Sequence, residues 1–228
     1  MGIDVWVSRA HASAVAEPGA EAATAGDVPG TGGEPADKAA GGAATDLTVL
    51  EAQVRECRRC SLHASRTQTV FGVGNASAQW MFVGEAPGAE EDRQGIPFVG
   101  RAGQLLSAML AAIGLERDAV YIANVLKCRP PANRDPMGEE VVQCEPYLHR
   151  QVELVAPRII VALGRFGAQS LLKTTQPIGK LRGACFKYRD TDIPLIVTYH
   201  PAYLLRSPLE KRKAWDDLLM ARRILERP

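Results

Sequence analysis

The sequence predicts an α/β fold in which a parallel sheet is covered by helices on both faces. Three observations carry that expectation. Apolar, β-branched runs of strand length recur at residues 79–83, 119–126, 158–163 and 193–198. Stretches with helical apolar spacing lie between and after them, the arrangement that forces neighbouring strands to run parallel. Chemically distinctive residues, Gly84-Glu85, Asn124, Gly164 and His200, fall at or near the ends of these runs. In such sheets ligands bind at the carboxyl ends of the strands, so the pattern predicts one shared cleft.

In chain order, Asp46-Leu47-Thr48 opens a helical pattern with Leu47, Leu50 and Val54 on one face. Residues 79–83 read as a buried strand. Residues 102–113 form an amphipathic helix through Leu105, Leu106, Met109, Leu110 and Ile113, stopped by Gly114. A strand at 119–126 and a helix over 138–154, ended before Pro157, come next. The β-branched run 158–163 precedes a helix over 165–172. Residues 193–198 are the fourth strand and 208–225 the last helix.

Residues 1–45 stand apart, rich in Ala, Gly, Pro, Glu and Thr with no apolar period after Trp6. Such a composition buries too little surface to offset ordering entropy, and this tail is expected to be disordered, leaving one domain over 46–228. The tail holds two basic and six acidic residues, so a chain of net charge +1 carries about +5 in its folded part. That mild excess permits a polyanionic partner. No stretch approaches the ~18–20 apolar residues of a membrane span. The N-terminus has no secretory pattern, and Trp6 sits where a myristoylation signal needs Ser or Thr. A soluble, intracellular protein is expected. In that compartment thiols stay reduced, so the five cysteines point to metal or catalysis before disulfides.

Residues 84–92 pack Gly, Pro and four acidic side chains into nine positions directly after a strand, and Phe98 follows between Pro97 and Val99. Near the other end, the run 193–198 delivers Tyr199-His200-Pro201-Ala202-Tyr203-Leu204-Leu205-Arg206. Four cysteines form a Cys-x2-Cys pair, Cys57 and Cys60, and a Cys-x15-Cys pair, Cys128 and Cys144. The polar, arginine-rich surroundings of the first pair are not those of a core. Thiolates in fours hold zinc or an iron–sulfur cluster, and spacing alone does not choose between them. Cys185, flanked by apolar residues, reads as packing.

Taken together, GEAPGAEED, GIPFVGRAG, NVLKCRPP, the cysteine set and HPAYLLR resemble the family 4 uracil-DNA glycosylases, the iron–sulfur branch of the uracil-DNA glycosylase superfamily. The resemblance covers about residues 50–225. It implies a three-layer α/β/α sandwich with a four-stranded parallel sheet, and a [4Fe–4S] cluster on Cys57, Cys60, Cys128 and Cys144. It further implies excision of uracil from DNA by a monofunctional hydrolase, which would make this a monomeric, cytoplasmic and nucleoid-associated repair enzyme acting on single- or double-stranded uracil-containing DNA.

The residues bear that chemistry. A glycosylase must flip its target nucleotide and read the base by edge and face. Phe98 is expected to stack on the base, with Ala86 beside it. Asn124 offers a donor and an acceptor together, matching uracil O4 and N3 and mismatching cytosine. His200 is expected to donate to uracil O2 as negative charge builds on the leaving base. Where the best-known branch of the superfamily places an aspartate, this chain has Ala86, as the family 4 pattern does. That leaves Glu85 and Glu91 as candidates to direct the water, with Asp92 third. Glu91 is also a candidate to crowd the C5 edge and reject thymine.

DNA contacts are expected from Lys127, Arg129, Lys180, Arg182 and Arg206, with Leu204 or Leu205 as an apolar wedge. Lys180 and Arg182 belong to the Gly-bounded loop 178–183. The related branch that traps abasic sugar through a histidine is set aside, since no histidine lies between Cys128 and Cys144. A non-catalytic iron–sulfur nucleic-acid-binding module would explain the cysteines and the basic excess, but not Glu85, Phe98, Asn124 and His200 in one pattern.

Overall fold

The structure is a computed structural model that describes residues 36–226, the first nine of them as backbone only. Eight helices and six strands alternate along the described chain. Helix α1 spans Ala36–Arg55, strand β1 Val73–Gly74, β2 Trp80–Gly84, helix α2 Ala89–Gln94, α3 Arg101–Ala112 and β3 Tyr121–Asn124. Helix α4 (Gly138–Val155), β4 (Ile159–Leu163), α5 (Gly164–Leu172), α6 (Ile178–Leu181) and β5 (Cys185–Lys187) follow. Strand β6 (Pro194–Thr198), α7 (Pro201–Arg206) and α8 (Lys211–Leu225) complete the order.

The strands lie in the order β1-β3-β2-β4-β6-β5. The central four pair parallel, Gly84 opposite Asn124 and Leu163 opposite Thr198. These are the four strands expected from the sequence. The edges are additions to that reading: β1 joins β3 and β5 joins β6, both antiparallel. Two and three residues long and largely exposed, they are too short to show a period.

Alternation along the central strands sorts side chains to two cores. Met81, Val83, Ala123, Ile160, Ala162, Leu195 and Val197 face one side, packed with Leu50 and Val54 of α1, Leu148 and Val152 of α4 and Ala168 of α5. Phe82, Ile122, Ile159, Val161, Leu163 and Ile196 face the other, under Leu106 and Leu110 of α3, Leu204 of α7 and Leu218 of α8. The result is the α/β/α sandwich, with every central-strand residue from Met81 to Val83 and from Ile159 to Leu163 wholly buried. Both strand faces are apolar because both are covered.

Helix α1 begins at Ala36, ten residues ahead of Asp46, so the expected domain start falls inside it. The rest of the expected disordered tail, residues 1–35, lies outside the described residues. The single helix expected over 208–225 is a short turn at Pro208–Glu210 followed by α8. Cys185 is exposed on the edge strand β5, where the sequence suggested packing. Among the described residues no helix is long and apolar enough to cross a membrane.

Candidate active site

The carboxyl ends of β2, β3, β4 and β6 open into a cleft of about 820 Å³. Glu85, Ala86, Glu91, Phe98, Asn124 and His200 all line it, so the structure gathers every residue expected to touch the base. Four loops that the sequence separates by as many as 115 positions converge because the parallel strands end side by side.

Phe98 and His200 are neighbours in the cleft lining, ring centroids 5.5 Å apart and planes inclined by 31°. Phe98 is buried and has φ +54°. Its backbone neighbours are held by Glu91: Oε1 accepts the amide protons of Val99 and Gly100 at 3.0 and 3.1 Å. Glu91 therefore spends one carboxylate oxygen on the Phe98 loop.

Asn124 is 2% exposed, and its Oδ1 is buried with no hydrogen-bond partner among the described residues. A buried orphan acceptor costs about 1–3 kcal/mol, so its persistence needs a reason. Gly84 is what leaves room for it. A Cβ there would lie 2.4 Å from Asn124 Oδ1 and 2.6 Å from Phe98 Cζ. Gly164 performs the same service for His200, at φ +88° and with a Cβ that would come within 2.8 Å of the His200 Cβ.

His200 caps α7. Its Nδ1 accepts the Ala202 amide proton at 3.1 Å, and Pro201 occupies the first helical position. An Nδ1 engaged as acceptor leaves the proton on Nε2, the nitrogen free to donate. Burial first, then the Arg206 charge, pulls the imidazole down to about pH 4 for half-protonation, with Glu91 pulling weakly back. His200 is a neutral donor at physiological pH. Glu85 goes the other way: burial, then the nearby Asp135 carboxylate, pushes it up to about 7, and Arg165 opposes the rise. Asp135 and Arg165 pair at 3.3 Å on the cleft wall. Neither was singled out from the sequence, because they come from unrelated loops with no shared spacing.

Asp92 does not join the cleft. It is 4% exposed and both of its oxygens accept the Thr67 amide proton, at 3.0 and 3.2 Å. Lys127 is likewise corrected: it is buried, its Nζ donating to Asn124 O at 2.8 Å and Gln151 Oε1 at 2.6 Å. Leu204 is 1% exposed in the core under α7, which removes it as a wedge, whereas Leu205 is 39% exposed. Arg182 pairs with the buried Asp217 at 2.7 Å and lies over the Tyr199 ring, so its guanidinium is committed to the fold. Lys180 and Arg206 are exposed, Arg206 on the cleft itself. Arg129 holds Asn133 Oδ1 at 2.7 Å near the same opening.

Cys57 and Cys60 come from the stretch just after α1, Cys128 from the loop following β3, and Cys144 from α4. Cys128 lies within electrostatic reach of Cys57 and Cys60, and Cys144 within reach of Cys60 and Cys128. Arg66 Nη1 donates to Cys128 Sγ at 3.1 Å and the Lys127 amide to Cys144 Sγ at 3.2 Å. Among the described residues no group of three or more His, Cys, Asp or Glu is arranged to hold a metal ion.

The model of the uracil DNA glycosylase superfamily matches residues 71–219, the span that holds the sheet and the cleft. The chain belongs to the uracil-DNA glycosylase superfamily. Within it, a Type-4 uracil-DNA glycosylase of Archaeoglobus fulgidus is 49% identical over 177 residues, 75% of this chain and 89% of that protein. The Type-4 enzyme of Sulfurisphaera tokodaii is 43% identical over 189 residues, 80% of this chain and 86% of its own. A Type-5 uracil-DNA glycosylase of Pyrobaculum aerophilum is 35% identical over 177 residues, 69% and 76% of the two chains. The superfamily model begins after Cys57 and Cys60, which lie outside its match, while Cys128 and Cys144 lie within it.

Proposed function

We propose that this protein is a monofunctional uracil-DNA glycosylase that flips uracil from DNA, hydrolyses its N-glycosidic bond and leaves an abasic site for base excision repair. The observation that carries the reading is the buried Asn124 Oδ1, without a partner among the described residues, at the strand ends in the cleft that Phe98 and His200 also line. It is an acceptor waiting for a donor, and uracil N3–H is one. The Asn124 amide donates to O4 of the same base, whereas cytosine offers an acceptor at N3 and a donor at C4, the reverse pattern.

Phe98 stacks on the flipped ring. His200 Nε2–H points its donor to O2, where negative charge collects as the bond from C1′ to N1 breaks and the electron pair leaves with the base. A preorganised donor of this kind accounts for about 10²–10³ in rate, and it needs no protonated imidazole. Glu85, just after β2, orients the water whose oxygen adds to C1′, takes up the proton that water releases, and stabilises the cationic sugar. Glu91 supports the Phe98 loop. Arg206 and Lys180 meet DNA phosphates, where basic side chains make affinity fall with salt. Leu205, exposed beside Arg206, takes the wedge position that Leu204 does not.

Cys57, Cys60, Cys128 and Cys144 fit an iron–sulfur cluster by their chemistry: four thiols from three segments, two of them already accepting hydrogen bonds through sulfur. When bound, a [4Fe–4S] group ligated by these thiolates cross-links α1, α4 and the loop after β3, closing long loops that otherwise cost entropy. The four cysteines that would hold it pack with the α1/α4 core, and none of them is assigned a step in base release. The described residues contain no membrane-crossing helix, and DNA is the only macromolecular partner the cleft requires.

The test is cleavage of an oligonucleotide containing one uracil, followed by alkali to reveal abasic sites, with His200→Ala as control. Alkali-dependent cleavage by the wild type and its strong loss in the variant support the proposal. A folded, brown, cluster-loaded protein that leaves the oligonucleotide intact rejects it.

A further inference from the structure

Phe98 presents its ring to the cleft from a backbone conformation its residue type avoids. At φ +54° it lies in the left-handed region, a genuine outlier for a bulky side chain, which persists only when the surroundings over-determine it. Glu91 holds the amides that follow it. The other side of the loop is held by a residue outside the cleft. Arg117, in the turn Arg117–Ala119 ahead of β3, donates from Nη2 to Pro97 O at 2.7 Å and to Phe98 O at 3.0 Å. Its Nη1 donates to Ser107 Oγ of α3 at 3.2 Å, which anchors the guanidinium to the helix beneath. Helix α3 approaches so closely at Gly103 that a Cβ there would stand 1.7 Å from Phe98 O. The carbonyl of Phe98 is thus pinned from below while the amides of Val99 and Gly100 are pinned from the cleft.

We propose that Arg117 is a positioning residue for uracil recognition, its guanidinium fork holding the carbonyls of Pro97 and Phe98 and thereby fixing the Phe98 ring as the stacking face. The inference rests on the function proposed above. The fork geometry is essential: one planar group reaches two successive carbonyls and a hydroxyl, which a lysine ammonium on a flexible stem cannot reproduce. Arg117 is half-buried and does not line the cleft, so it acts on the base only through Phe98. Releasing the fork lets the loop leave φ +54° and carries the ring away from the base plane. A misplacement of ~1 Å costs on the order of hundredfold in rate.

The experiment compares wild type, R117A, R117K, F98A and F98A/R117A by single-turnover excision and by inhibition with free uracil, with melting curves for each. We expect R117A to slow excision about ten- to hundredfold and to weaken uracil inhibition. R117K should fall near R117A, since charge without the fork does not suffice. F98A/R117A should bind uracil no more weakly than F98A, because a positioning residue has nothing left to position. A merely structural arginine would instead add its loss to that of F98A, or be rescued by lysine, and either result overturns the proposal. Should R117A fail to fold, R117K carries the same comparison. Wild-type protein that neither releases nor binds uracil overturns the function and the clamp together, whereas active wild type with unaffected R117A and R117K overturns the clamp alone.

Discussion

Gly84 and Asn124 stand opposite each other at the carboxyl ends of β2 and β3, so close that a methyl group on Gly84 would lie 2.4 Å from Asn124 Oδ1. The same methyl would meet the Phe98 ring at 2.6 Å. Gly84→Ala should therefore push the Asn124 amide and the Phe98 ring apart. We expect excision to fall by about hundredfold or more, with the fold retained at a cost of about 1–3 kcal/mol. Single-turnover kinetics beside a melting curve measure both, and an active Gly84→Ala enzyme would remove Asn124 and Phe98 from base recognition.

Asn124 offers a contrast between stability and function. Its Oδ1 is buried and has no partner among the described residues, so the folded protein bears the desolvation of an unsatisfied acceptor. Asn124→Leu, close in volume and without polar atoms, should melt at or above the wild-type temperature while losing uracil excision. A lower melting temperature with activity intact would show the amide to be structural.

The two shifted groups of the cleft set opposite pH dependences. Glu85, held near 7, must lose its proton to orient water, so the excision rate should rise with pH through about 7 and then level. Glu85→Gln should abolish that rise. In stability terms the folded protein keeps the Glu85 proton longer than the unfolded chain, so stability falls as pH rises from 4.5 towards 7. Glu85→Gln should accordingly be stabilising at pH 8 relative to wild type and neutral at pH 4.5. His200 binds its proton less readily when folded, so its contribution is intact above pH 6.5 and is lost as pH falls towards 4. Because it stays neutral down to that range, no second limb from His200 should appear near pH 6.

Arg182 and Lys180 lie two residues apart and should behave differently. Arg182→Ala strands the buried Asp217 carboxylate and should cost about 3 kcal/mol of stability without changing the salt dependence of DNA binding. Lys180→Ala should leave the melting temperature unchanged and lower the salt slope by about one. A salt-slope change with Arg182→Ala would return it to the DNA-binding surface.

The proposed cluster predicts a visible signature. Cys128→Ser removes one of the four thiols, and we expect loss of the brown visible absorption and a lower melting temperature. A protein with the Cys128→Ser change that keeps both colour and stability would contradict the ligand set.

Much of this was legible from local chemistry. Runs such as residues 158–163, apolar on both strand faces, announce a covered parallel strand by themselves. The motifs around Glu85, Phe98 and His200 are contiguous, so residue type and order point to a base-excision cleft before any fold is known. What the chain order could not reveal is which charges are spent. Lys127 sits in a basic stretch yet serves Asn124 O and Gln151, Arg182 faces an aspartate 35 residues away, and Asp92 serves the Thr67 amide. Leu204 and Leu205 are equivalent in sequence, and only the packing of α7 on the sheet sends one inward and leaves the other exposed. The edge strands β1 and β5 are defined by partners rather than by their own residues.

By itself the sequence determined the four central strands, the helices between them and residues that line the cleft, because periodicity and strand-end placement are local properties carried by consecutive side chains. The tertiary structure alone decided the state of each group: Asn124 with an orphan acceptor, His200 neutral with Nε2 free to donate, Glu85 near 7, and Phe98 held at φ +54° between Glu91 and Arg117. Those states depend on burial and on partners brought from distant segments, and desolvation and pairing exist only once the chain has closed around them.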